Sequence, residues 1–108
     1  MPEIYGAWAD RRSNIVTLGT LSAVGATAAV EVSGSNFTFV HAVTGTNVSV
    51  VDEGSMNGTT WFALDTEKTY GQTGVDAHFY AGRIVRYVRT NATAMGVGES
   101  ITITMACD

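Results

Sequence analysis

Residues 37–64 read FTFVHAVTGTNVSVVDEGSMNGTTWFAL, and three strands can be traced through them. The first seven residues put Phe37, Phe39, His41 and Val43 on one face and Thr38, Val40 and Ala42 on the other. That period of two is the signature of a half-buried strand. Gly45 breaks the run, and Val48 to Glu53 forms the next strand. Gly54-Ser55-Met56-Asn57-Gly58 predicts a hairpin, because Asn-Gly accepts the positive φ of a type I′ turn. Thr60 to Leu64 returns, carrying Trp61 and Phe62. As strand neighbours, one of these two aromatics faces the core and the other faces outward.

The same grammar extends in both directions. Ile15 to Leu21 is β-rich, and residues 27–32 alternate. Thr66 to Asp76 is polar and reads as a loop or a short edge segment, followed by a short strand over Ala77 to Tyr80. Along 83–90, Arg83, Val85, Tyr87 and Arg89 share one face, and Ile84, Arg86, Val88 and Thr90 share the other, with Ile84 and Val88 assigned to the core. Ile101, Ile103 and Met105 alternate with Thr102 and Thr104 in a last strand. Seven to nine short strands with turn signals about every ten residues predict an all-β chain. The expected fold is a small antiparallel β-sandwich, jelly-roll-like, over residues 15–108, with an N-terminal arm over 1–14.

Composition agrees. The 108 residues include 15 Thr and 13 Val but three Leu, and 12 Gly but one Pro. Residues branched at Cβ favour strands. Charged residues make up 15%, against about 25% in an average soluble protein. The formal net charge of −4 disfavours nucleic acid as a partner. Two local basic patches exist, Arg11 with Arg12, and Arg83 with Arg86 and Arg89. Cys107 stands alone and cannot form an intramolecular disulfide, which fits folding in a reducing cytoplasm. The four Asn-x-Ser/Thr triplets, at Asn36, Asn47, Asn57 and Asn91, read as turn residues. No signal peptide and no membrane-spanning run is expected.

The search for chemistry yields little. His41 and His78 belong to no metal-spaced cluster and read as structural or surface residues. Asp52 and Glu53 are adjacent in a strand, so they point to opposite faces. Asp65, Glu67 and Asp76 suggest calcium ligands, but three acids scattered over a polar loop read more simply as solvated. Gly96-Val97-Gly98 lacks the third glycine of a dinucleotide loop. No enzyme activity, cofactor or metal is expected.

Two segments carry a resemblance. Glu53-Gly54-Ser55-Met56-Asn57-Gly58-Thr59-Thr60-Trp61-Phe62-Ala63-Leu64 resembles the S-x-D-G-x-x-W-x-x-L hairpin of small phage structural proteins, with Asn57 at the usual Asp position. Ile84-Val85-Arg86-Tyr87-Val88-Arg89 resembles the strand that follows in them, and 98–104 is similar to their final Thr/Val strand. The best fit is a tailed-phage capsid decoration (cement) protein. That resemblance implies a homotrimer on the capsid exterior, in contact with the major capsid protein. The aperiodic, aromatic and charged arm makes Tyr5, Trp8, Arg11 and Arg12, and the Arg/Tyr surface of the later strand makes Arg86 and Arg89, with Trp61, the expected oligomer or capsid contacts. The same segments resemble discoidin-type, galactose-binding-like jelly rolls, which keeps a glycan-binding module as the alternative, with Trp61 or Tyr87 meeting the sugar. A tail or fibre domain is a further virion role.

Overall fold

A computed structural model describes residues 15–32 and 34–107. The expected arm, with Tyr5, Trp8, Arg11 and Arg12, lies outside the described residues. Ten strands follow in order: β1 (Ile15–Leu21), β2 (Gly25–Ala26), β3 (Val30–Glu31), β4 (Phe37–Thr44), β5 (Val48–Ser55), β6 (Trp61–Ala63), β7 (Lys68–Tyr70), β8 (Gly74–Tyr80), β9 (Tyr87–Met95) and β10 (Ser100–Cys107). They form two antiparallel sheets. One runs β1-β10-β4-β8. The other runs β2-β9-β5-β6, with β3 also on β9 and β7 also on β5.

Counting β2 with β3, and β6 with β7, as interrupted strands leaves eight, four per sheet. The chain then changes sheet at every connection except the β5–β6 hairpin. This is jelly-roll connectivity. The interruption between β2 and β3 has a local cause. The Thr27 side chain turns inward, and its Oγ1 accepts the Thr90 amide at 3.1 Å where a ladder carbonyl would otherwise do so.

Alternation supplies the core. The first sheet contributes Leu18, Phe37, Phe39, Val43, Tyr80, Ile101, Ile103 and Met105. The second contributes Val48, Val50, Val88 and Ala92, closed over by Val32, Leu64 and Val85. Phe39 and Tyr80 meet edge to face with ring centroids 5.5 Å apart, a favoured aromatic geometry. Cys107 is half-buried against this cluster at the end of β10.

Three expectations need correction. Asn57 has no positive φ, and Gly58 does, at +80°, so the hairpin is not type I′. Five residues separate Ser55 from its partner Trp61. Ser55 Oγ accepts the Gly58 amide at 2.9 Å, and Asn57 Oδ1 accepts the amides of Thr59 and Thr60 at 2.9 and 2.8 Å. These side-chain bonds build a wider loop than a two-residue turn. Second, Ile84 is 80% exposed while Val85 is buried, because β9 begins only at Tyr87 and parity before it is lost. Third, neither Trp61 nor Phe62 enters the core; β6 is a three-residue edge strand, and Phe62 is 45% exposed.

The loops at one end are tied by a single carboxylate. Glu99 accepts the amides of Thr46 at 2.6 Å, Asn47 at 3.0 Å and Gly96 at 3.1 Å. The Thr46 amide, with those of Asn47 and Gly96, holds its carboxyl below the ordinary range. Gly45 makes room for it. A Cβ there would stand 2.5 Å from the Glu99 side chain.

Candidate functional site

Two polar arrangements stand out, one buried and one outward. The buried one begins with parity. His41 on β4 and Asp52 on β5 both occupy inward positions of facing sheets, so they meet in the core. His41 Nε2–H donates to Asp52 Oδ1 at 2.9 Å. Asp52 also accepts the Thr90 hydroxyl at 2.9 Å and, on Oδ2, the Tyr80 hydroxyl at 2.6 Å. Three donors from three strands thus converge on one buried carboxylate. Satisfaction of this kind is what keeps buried polar groups tolerable. Among the described residues, every buried side-chain N and O has a partner.

The network continues toward the surface. His41 Nδ1 lies 2.7 Å from the Tyr70 hydroxyl, which donates to Asp76 Oδ2 at 3.0 Å. His78 Nε2 is 3.0 Å from the same hydroxyl and 2.9 Å from Asp76 Oδ2. The His41 and His78 rings stand 4.9 Å apart. Burial, with Asp76 beside it, pushes the Tyr70 phenol well above its ordinary 10.0, in keeping with its donation to Asp76. Burial and Asp52 do the same to Tyr80. Burial pushes the Asp76 carboxyl up, but the Tyr70 hydroxyl and His78 outweigh it and hold it below its usual value. Tyr70 and Asp76 also line a shallow depression of about 210 Å³ with Gln72, Thr73, Gly74 and Val75. Among the described residues, no three His, Cys, Asp or Glu side chains are grouped to hold a metal ion. Physically the network bolts one sheet to the other.

The outward arrangement lies on the second sheet. Register places Glu53 opposite Arg89, and Ser55 opposite both Tyr87 and Trp61. The Arg89 guanidinium sits 4.2 Å from the centre of the Trp61 ring, and its Nε donates to Glu53 Oε1 at 2.7 Å. Arg86 precedes the strand. It pairs with Glu31 at 3.0 Å and leans on the Tyr87 ring at 5.8 Å. Trp61 and Arg89 therefore belong to one neighbourhood and Arg86 to another, around Glu31 and Tyr87; each arginine is already held by a carboxylate and an aromatic ring. Two of the segments that carry the sequence resemblance, 53–64 and 84–89, meet in the first.

The outer face of the four-stranded sheet is different again. Its described residues are Thr, Ser, Ala, Val, Ile and Phe only, from Ile15 and Thr17 on β1 to Val75, Ala77 and Phe79 on β8. Ile15 is 54%, Val75 74% and Phe79 68% exposed.

Sequence reasoning placed His41 on the Phe37–Phe39 face and separated Asp52 from Glu53, but it did not join them. The available signal was a polar residue at an inward position of each strand, since two such residues in one small core need each other. Tyr70 gives no such signal, because it lies in the polar stretch 66–76, whose reading as a loop or a short edge segment assigns no inward position; β7 is such a short edge segment.

No family model matches this chain, and no curated protein matches it. Among solved structures, the structure of infectious bursal disease virus Gx strain contains a similar chain, with a TM-score of 0.45 and 6% identity. The match covers 86% of this chain and 31% of that one, so this chain spans about a third of its length. Among the described residues, no helix is long and apolar enough to cross a membrane.

Proposed function

We propose that this protein is a structural part of a phage virion, decorating the outside of the capsid by binding the major capsid protein in many copies, as the resemblance of its second half implies. It acts in this reading by binding and not by catalysis. The observation that carries the proposal is the uncharged outer face of the four-stranded sheet, in a chain whose net charge is −4. A face without charges packs against protein at small desolvation cost. The exposed Ile15, Val75 and Phe79 on this otherwise Thr- and Ala-rich face support its use as an interaction surface. The meeting of two resembling segments in the Trp61–Arg89 neighbourhood adds a second contact region. Linkage then supplies the mechanism: a protein that binds the assembled shell better than its separated parts stabilises the shell. Many copies, as trimers in this reading, multiply weak contacts.

Jelly rolls also serve as lectins, so the fold by itself does not choose. A sugar stacking on Trp61 would compete with Arg89 for that ring. The deciding experiment is co-sedimentation with shells assembled from the major capsid protein of the same genome. Saturable binding is expected, and Thr17→Lys or Ala42→Lys on the uncharged face should weaken it tenfold or more. Absence of binding, with glycan-array signal from the isolated protein, would replace this reading with the lectin one.

A further inference from the structure

The four-stranded sheet has two seven-residue edges, β1, which a register shift between Thr17 and Gly19 breaks, and β8, which is unbroken. The second sheet has edges of two or three residues, in β2, β3, β6 and β7. Short edges are a common protection against unwanted pairing. β8 runs seven residues, Gly74–Tyr80, without Pro, Lys or a bulge, and among the described residues it pairs on one side only, with β4. Its free backbone groups are a template for another strand.

We propose that two copies of this chain join through β8, pairing antiparallel about a two-fold axis at Ala77, so that their four-stranded sheets become one of eight strands. The occupant follows from the sequence of the strand, Gly-Val-Asp-Ala-His-Phe-Tyr, which complements itself when reversed. With Ala77 opposite its own counterpart, Val75 of each copy faces Phe79 of the other on the outer side. On the inner side, Asp76 of each faces His78 of the other, each through the ring or carboxylate atom not already engaged within its own copy by the Asp76–His78–Tyr70 contacts. An isologous contact requires such self-complementarity. Apolar pairs and pairs of acid with base are the cross-strand combinations that stabilise a sheet. The exposed Val75 and Phe79 would be covered, and the uncharged outer faces of the two sheets would run together without bringing like charges close. This inference does not rest on the virion reading. A three-fold contact would use another surface, so the two can coexist.

Sedimentation velocity on the full chain tests it. An even number of copies is expected, two, or six if trimers also form. Val75→Lys, and separately Phe79→Lys, put a charge at an exposed edge position and should halve the mass with the circular dichroism unchanged. Ala77→Cys in a Cys107→Ser background reads the axis directly, because the two cysteines would oppose each other and oxidise to a covalent dimer, while Thr17→Cys would not. A monomer or an odd number at the highest soluble concentration overturns the proposal. So does an unchanged mass in Val75→Lys, or an Ala77→Cys protein that cross-links no better than Thr17→Cys. If Trp8→Ala halves the mass and Val75→Lys does not, residues 1–14 hold the copies together and β8 does not. None of these readouts involves shells, so failure here and failure of the capsid reading are separable.

Discussion

His41 and Asp52 meet across the two sheets at 2.9 Å, both sealed from solvent, and the carboxylate also accepts the hydroxyls of Thr90 and Tyr80. Removing Asp52 takes the shared acceptor from His41 Nε2 and from the Thr90 and Tyr80 hydroxyls at once. Asp52→Ala is expected to cost about 3–5 kcal/mol, the usual consequence of breaking a buried pair. Urea unfolding followed by Trp fluorescence measures it. A loss below 1 kcal/mol would mean that water replaces the carboxylate without penalty.

Tyr80→Phe deletes one hydroxyl from the same carboxylate and keeps the ring against Phe39. The loss should be about 1.5–3 kcal/mol, the range for a hydrogen bond to a charged group. Near-ultraviolet circular dichroism should show the aromatic packing retained, which separates this loss from a cavity effect.

The tyrosines also give a signature at high pH. Tyr70 and Tyr80 are both raised above 10.0 in the fold. A raised value favours the protonated folded state, so their contribution is complete below pH 10, shrinks above it, and is gone once pH passes the raised folded value. Of the four tyrosines, at least two should resist ionisation at pH 10.5 in the folded protein, as read by phenolate absorbance. Full ionisation of all four near 10.0 without unfolding would contradict the buried network.

Acid acts with the opposite sign. Glu99 and Asp76 are both held below their ordinary values, so their contributions are present above the unfolded carboxylate range and are lost as pH falls through the depressed values. Melting temperature should therefore fall on acidification toward pH 3. Glu99→Gln should flatten that fall, because an amide keeps one acceptor oxygen and carries no titrating proton.

Arg89→Ala uncovers the Trp61 ring and frees Glu53. At a half-exposed site the cation–π contact is worth about 0.5–1 kcal/mol, so stability should change little while Trp emission shifts to the red. In the capsid-binding assay the same variant is expected to bind more weakly. Unaltered binding would remove the Trp61–Arg89 neighbourhood from the contact surface.

The period-two runs at 37–43 and 101–105 were legible because each strand buries one face against the other sheet, and residue parity survives wherever a strand is long. Parity failed at Ile84, where the chain is still in a loop, and at Trp61, where an edge strand of three residues has too little neighbour to bury either side. The Asn-Gly pair marked the hairpin correctly. The turn type escaped because Ser55 and Asn57 side chains supply hydrogen bonds that a two-residue turn takes from backbone. Of the buried network, His41 and Asp52 could be placed singly. Tyr70 joins them only through tertiary structure, from a short strand in a polar segment.

β10 lies between β1 and β4, and among the described residues β1 joins that sheet only through β10, with Ile15 paired to Ala106. Contacts between such distant positions make folding slow, because the chain entropy is lost before the pairing repays it. During synthesis the sheet therefore stays incomplete until residues 100–107 have left the ribosome. The uncharged face that would pack against other proteins is assembled only when that strand docks, so a chain lacking it offers no finished surface to bind with.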